Sequence, residues 1–164
     1  MSMHNQKHRP HEGATFCLSG NLSAPLERAG PARVLIVEDD ADLCRILNYQ
    51  FVRAGFDVAA FHHGHDAVRW LDQHTPALAI LDVLLPGLDG YALCRTLREH
   101  PRSEVRDVPV IMLTALFEDE HKRHGYRTGA TMFFRKPMYT KRLVRHARAL
   151  LESGRYPRSL PDMD

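Results

Sequence analysis

Short apolar runs alternate with longer amphipathic stretches between residues 33 and 152 of the chain. Residues 34–37, 78–81 and 110–113 are uninterrupted apolar runs, which predict strands buried on both faces of a sheet. Residues 57–61 and 131–135 are weaker segments that predict two further strands. The pattern therefore predicts five short strands.

Between and after these strands, apolar residues recur at helical spacing in five segments. The first segment follows Asp40 and ends at Gly55, a residue type that commonly follows a helix. The second ends near residue 74, and Asp89 can cap the third. The fourth covers about 118–128 and the fifth about 140–152. Strands that alternate with helices predict an α/β fold with a parallel sheet covered on both faces, a three-layer arrangement.

Polar residues capable of chemistry follow the strands. In a parallel sheet of this kind the functional site forms at the carboxyl ends of the strands, so residues at these ends are expected to lie together. Glu38, Asp39 and Asp40 follow the first strand, Asp82 follows the third, Thr114 the fourth and Lys136 the fifth. The expected cluster is three carboxylates, one hydroxyl and one ammonium.

The chemistry of this cluster is consistent with phosphoryl transfer. Several carboxylates in one cleft repel each other, and a hard cation such as Mg²⁺ relieves that repulsion. Lys136 adds a positive charge and Thr114 a hydroxyl, so a phosphoryl group arriving at Asp82 would be stabilised electrostatically. Taken singly, Asp82 and Thr114 could each be ordinary helix-capping residues.

Composition and charge limit the classes of protein to which this chain can belong. The chain has 164 residues, 44% hydrophobic and 26% charged, as expected for one globular domain with extensions. The net charge of +2 comes from residues 1–33, whereas residues 34–152 carry equal numbers of acidic and basic side chains. A neutral central region is not the footprint of a nucleic-acid-binding domain.

The ends of the chain lack periodic patterns. We expect residues 1–32 to be a disordered extension and residues 153–164 a flexible tail. His4, His8 and His11 could suggest a metal site, but their spacing matches no standard site. There is no signal-peptide pattern, no membrane-spanning run and no paired framework of cysteines, so we expect a cytoplasmic protein.

Four motifs in order resemble the receiver domains of bacterial two-component response regulators. The resemblance covers about residues 33–152 and implies a flavodoxin-like, doubly wound fold with strand order 2-1-3-4-5. It also implies a signalling domain that accepts a phosphoryl group, and not an enzyme acting on a separate substrate. The motifs are VLIVEDD (34–40), LAILDVLLPGLDG (78–90), VPVIMLTA (108–115) and GATMFFRKP (129–137).

The resemblance implies a role for each matching residue. Asp82 matches the phosphoacceptor, and Lys136 and Thr114 match the lysine and the hydroxyl residue that act beside it. Phe133 matches the aromatic residue that turns inward when Thr114 moves, although Tyr is common there. The bond between Lys136 and Pro137 matches one that is usually cis. Glu38 and Asp39 match the acidic pair that organises Mg²⁺, and the direct ligands would be Asp39, Asp82 and the backbone carbonyl of Leu84.

Two positions flanking the site are apolar. Leu84 follows Asp82 by two residues and Leu116 follows Thr114 by two. Our hypothesis is that these side chains hinder the hydrolytic water and thereby alter the lifetime of the phosphoryl group. Asp40 is expected only to cap the first helix.

The sequence indicates how the domain is phosphorylated more closely than it indicates what the domain then acts on. No DNA-binding module follows residue 152, so the first hypothesis is a stand-alone receiver that is phosphorylated by a histidine kinase or phosphotransfer protein and binds a protein target. The alternatives are the receiver part of a DNA-binding regulator and a scaffold without phosphorylation. Acidic residues at 118–120 and basic residues at 141–148 could pair in a homodimer through the fourth helix, fifth strand and fifth helix, or simply be solvated.

Overall fold

The computed structural model describes residues 30–115 and 119–154. The predictions for residues 1–29, including His4, His8 and His11, lie outside the described residues, as do Leu116, Glu118 and the tail from residue 155. Within the described ranges there are five strands and six helices. They are β1 (Arg33–Val37), α1 (Ala41–Arg53), β2 (Asp57–Phe61), α2 (Gly64–Leu71), β3 (Leu78–Asp82), α3 (Gly90–Arg98), α4 (Ser103–Arg106), β4 (Val110–Thr114), α5 (Asp119–Arg127), β5 (Met132–Arg135) and α6 (Thr140–Ser153).

The strands form one parallel sheet with the order β2-β1-β3-β4-β5, which confirms the predicted doubly wound topology. β1, β3 and β4 are central, and every residue of β3 and β4 is buried. This burial explains why their sequences are continuous apolar runs rather than alternating ones. Because all five strands are parallel, their carboxyl ends lie along the same edge of the sheet.

Alternate residues of the central strands pack into two separate cores, one on each face of the sheet. Leu35, Val37 and Met112 pack with α2, α3 and α4 on one face. Val34 and Ile36 pack with α1 and α6 on the other. Phe133 borders the first core and Phe134 the second, as expected for adjacent residues of a strand.

One helix prediction requires correction, and one helix was not predicted. α2 ends at Leu71 rather than near residue 74, because a turn follows in which the N–H of Gln73 donates to the Trp70 carbonyl three residues earlier. The His74 ring stacks on Trp70 beyond this turn. The short helix α4 was not predicted, since four residues are too few to show helical periodicity. No helix in the described ranges is long and apolar enough to cross a membrane.

Three of the predicted helix termini are confirmed. The Asp40 carboxylate accepts hydrogen bonds from the backbone N–H groups of Asp42 and Leu43 at the start of α1. Asp89 does the same for Ala92 in α3. Gly55 follows α1 with a φ of +88°, a conformation that glycine adopts without a steric penalty. The Asp40 and Asp89 caps fix where α1 and α3 begin at the carboxyl edge of the sheet.

Candidate functional site

The carboxyl ends of β1, β3 and β5 bring three predicted site residues into direct contact. The ammonium Nζ of Lys136 lies 2.8 Å from Oε1 of Glu38 and 2.8 Å from Oδ2 of Asp82. These residues are 98 and 54 positions from Lys136 in sequence, so the contacts depend on the sheet. The peptide bond between Lys136 and Pro137 is cis, as the resemblance implies.

Asp39 completes an acidic cluster with Glu38 and Asp82. One carboxylate oxygen from each of the three residues lies within 4.8 Å of the other two. Glu38 and Asp82 are buried, whereas Asp39 is exposed and leaves the cluster open to solvent on one side. Three carboxylates against the single ammonium of Lys136 leave the cluster with an excess of negative charge, which favours a cation.

Burial disfavours the charged form of Glu38. Its side chain is fully inaccessible, and this burial raises its pKa from 4.5 to about 7. The hydrogen bond from Lys136 lowers the pKa in part, while the charge of Asp82 raises it further. Glu38 Oε2 is buried and, among the described residues, has no hydrogen-bond partner. A buried carboxylate oxygen without a donor is an available cation ligand.

Lys136 remains protonated despite its partial burial. Burial alone would lower its pKa, but the hydrogen bonds to Asp82 and Glu38 outweigh that effect and raise the pKa above 10.5. The lysine is therefore a permanent positive charge at neutral pH, held between two carboxylates from different strands.

Both carboxylate oxygens of Asp82 have a donor. The backbone N–H of Leu84 donates to Oδ1 at 3.1 Å, and Lys136 donates to Oδ2. Gly90, the first residue of α3, packs against the main chain of Asp82. A Cβ at this position would lie 2.1 Å from the Asp82 carbonyl oxygen. α3 can approach the end of β3 this closely only because residue 90 is glycine, so the main chain of Asp82 is confined from behind.

Thr114 lies beside this group but Phe133 does not join it. Thr114 is buried at the end of β4, and its carbonyl accepts a 2.8 Å hydrogen bond from the N–H of Lys136. Phe133 pairs in register with Met112, two residues before Thr114, and its ring meets that of Tyr126 edge-on at 4.9 Å. Thr114 and Phe133 therefore point to the same face of the sheet, since side chains alternate along strands.

Leu84 stands at the rim of the cluster. It is 52% exposed, an unusual position for a leucine next to buried carboxylates. Together with Asp39, Asp89 and Tyr91 it lines an open cavity of about 350 Å³. The exposed leucine therefore borders the solvent approach to Asp39.

Three residues at or near the site were not identified from the sequence. Gly90 follows Asp89 in the motif quoted above, so a signal was present. His62 bonds the Glu38 carbonyl from the neighbouring strand end, and nothing in the local sequence indicates that contact. Gly125 in α5 lies against the Phe133 ring, where a Cβ would come 2.1 Å from Cζ.

Comparison with known proteins agrees with this geometry. The sequence model of the family described as "Response regulator receiver domain" matches residues 34–148. That match spans every strand except the first residue of β1, and it includes Glu38, Asp39, Asp82, Thr114 and Lys136.

Individual relatives give the same picture. The chain is 37% identical over 123 residues to the phosphate regulon transcriptional regulatory protein PhoB of Rhizobium meliloti, covering 75% of this chain and 53% of that protein. It is 36% identical to the transcriptional regulatory protein GltR of Pseudomonas aeruginosa, covering 75% and 50%. A crystal structure of a putative response regulator from Chloroflexus aurantiacus superposes with a TM-score of 0.69 at 34% identity, covering 74% of this chain and 98% of that one. The chain thus spans about half the length of the curated relatives it matches.

Proposed function

The chain belongs to the response regulator receiver domain family, and we propose that it receives a phosphoryl group on Asp82 from a sensor histidine kinase or a phosphotransfer protein. The observation that carries this proposal is the pairing of Asp82 with Lys136 at a shared strand edge, beside Glu38 and Asp39. A buried carboxylate with a fixed cation at hydrogen-bond distance is suited to act as a nucleophile toward a phosphoryl group.

The proposed transfer is a displacement of the donor's imidazole from phosphorus by the Asp82 carboxylate. An Asp82 carboxylate oxygen forms a bond to phosphorus as the bond from phosphorus to the donor's histidine nitrogen breaks, and the imidazole leaves with the electron pair of that bond. Lys136 already contacts Asp82 Oδ2, so its charge lies next to the acyl phosphate as it forms. The Leu84 N–H holds the other carboxylate oxygen and orients the group.

The residues present fit a Mg²⁺ ion. The partnerless Oε2 of Glu38 and the excess of carboxylates over ammonium groups both favour a hard cation. Glu38, Asp39, Asp82 and the backbone carbonyl of Leu84 would hold the ion, which would neutralise charge on the phosphoryl oxygens. Exposed Asp39 leaves one side of the cluster to water, as Mg²⁺ prefers.

We propose that Thr114 and Phe133 pass the signal on. The Thr114 hydroxyl would donate a hydrogen bond to a phosphoryl oxygen on Asp82, and its movement would free space on the face of the sheet that it shares with Phe133. The ring would then turn inward, altering the surface around α5, β5 and α6. Because Phe133 carries no hydroxyl, this change would act through packing alone.

The proposed output is a change in binding to a protein partner, in the cytoplasm, without catalysis on a separate substrate. Lys141, Arg142 and Arg145 are exposed on α6 and could contribute to a homodimer through α5, β5 and α6. The receiver would occupy residues 33–152, between an N-terminal extension and a C-terminal tail.

A second candidate is the receiver part of a DNA-binding transcriptional regulator. The names of PhoB and GltR as transcriptional regulatory proteins favour it, as does the match to only about half of their length. A scaffold that is never phosphorylated is the third candidate. DNA binding by the full-length gene product would separate the second candidate from the first.

Incubation with Mg²⁺ and acetyl phosphate, followed by intact mass measurement, tests the phosphoacceptor role. We expect one phosphoryl group on the wild-type chain and none on Asp82→Asn. An unmodified wild-type chain would favour the scaffold, and an adduct that persists in Asp82→Asn would refute Asp82 as the acceptor.

A further inference from the structure

The end of β2 holds the backbone of Glu38 at both its N–H group and its carbonyl oxygen. The N–H of Glu38 donates to the Phe61 carbonyl at 3.0 Å, and the Glu38 carbonyl oxygen lies 3.0 Å from Nδ1 of His62. A carbonyl oxygen only accepts hydrogen bonds, so the His62 ring must carry its proton on Nδ1 and donate it. An imidazole thereby contacts the main chain of a residue in the acidic cluster.

This side-chain bond continues the sheet by one step. The paired residues of β1 and β2 end at Val37 and Phe61, so Glu38 and His62 are the next pair along the strands. The imidazole of His62 supplies a donor to the Glu38 carbonyl where the strand ladder stops.

Asp39 consequently lies between two anchored neighbours. Before it, the Glu38 carbonyl is bonded to His62. After it, Asp40 is fixed because its carboxylate caps α1 through the N–H groups of Asp42 and Leu43. Asp39 itself is exposed, so its direction depends on the main chain on either side of it.

We propose that His62 is a positioning residue for the cation site. Its bond to the Glu38 carbonyl holds the peptide that joins Glu38 to Asp39, and thereby directs the Asp39 carboxylate toward Asp82. The inference rests on the proposed function in taking Mg²⁺ as the ion. His63 and His65 are natural controls, because within the described part of the chain neither has a hydrogen bond to Glu38.

The first test measures the Mg²⁺ affinity of the full chain by calorimetry at pH 8. Losing one hydrogen bond that orients a ligand is expected to weaken Mg²⁺ binding by about three- to tenfold in His62→Ala. His62→Asn should restore binding to within about twofold, because the Asn amide nitrogen can donate from nearly the same place as Nδ1. His63→Ala should match the wild type.

The second test needs no metal. The ¹⁵N order parameter of the Asp39 amide should fall in His62→Ala from a rigid value of about 0.85, but not in His63→Ala. Wild-type Mg²⁺ affinity in His62→Ala, or an His62→Asn variant as weak as His62→Ala, would overturn the inference. If the wild-type chain bound no Mg²⁺, the proposed cofactor would fail, while an unchanged Asp39 order parameter in His62→Ala would separately refute the role of His62.

Discussion

Replacing Glu38 with Gln should remove a pH dependence of stability that burial of this carboxyl creates. Its pKa rises from 4.5 to about 7 on folding, so the native state binds more protons than the unfolded state between these values. Stability therefore falls as pH rises through this window. Each pKa unit corresponds to about 1.36 kcal/mol, so Glu38 should cost the fold roughly 2–3 kcal/mol between pH 5 and pH 8.

Urea unfolding in the presence of EDTA at pH 5 and pH 8 measures this cost. The wild type should lose roughly 2–3 kcal/mol more than Glu38→Gln over the same interval, since the other titrating groups are shared. Saturating Mg²⁺ at pH 8 should restore stability to the wild type more than to the variant. Equal pH dependence in the two proteins would show that burial of Glu38 does not destabilise its charged form.

Three further substitutions test separate contacts. Gly125→Ala should destabilise the fold by about 1–3 kcal/mol in thermal or urea unfolding, because the new Cβ would lie 2.1 Å from Phe133 Cζ. Adding Phe133→Leu should recover part of this loss, whereas additive effects of the two substitutions would argue against the contact. Asp40→Ala should lower the urea unfolding midpoint by removing the α1 cap, and an unchanged midpoint would contradict that role. Leu84→Asn should change the dephosphorylation rate of the phosphorylated chain, measured by intact mass over time; an unaltered rate would reject the hypothesis that Leu84 hinders water.

The sheet was predictable because its central strands are buried on both faces. Residues 78–81 and 110–113 have no polar interruption, and only a strand covered by helices on both sides requires that pattern. Glu38 and Asp39, Asp82, Thr114 and Lys136 lie at the carboxyl ends of four strands, so the topology alone brings them to one edge. Asp40 and Asp89 were identifiable as caps for a different reason, because capping is local in sequence.

Contacts that depend on register or close approach were not predictable. His62 reaches Glu38 only because β2 lies beside β1 with Phe61 opposite Val37. Gly125 carries no turn signal, and its requirement for a hydrogen in place of a side chain arises from the Phe133 ring across the layer. The helix α4 is held by burial of Val105, a tertiary contact without a periodic pattern.

The central claim is that Asp82 is the residue that carries the phosphoryl group. Borohydride reduces an aspartyl phosphate to homoserine, so peptide mass spectrometry after treatment with Mg²⁺, acetyl phosphate and borohydride identifies the modified residue. The account predicts homoserine at position 82, dependent on Mg²⁺ and sharply reduced in Lys136→Met, which removes the ammonium 2.8 Å from Oδ2. Reduction at Glu38 or Asp39 instead, or at no residue, would contradict it.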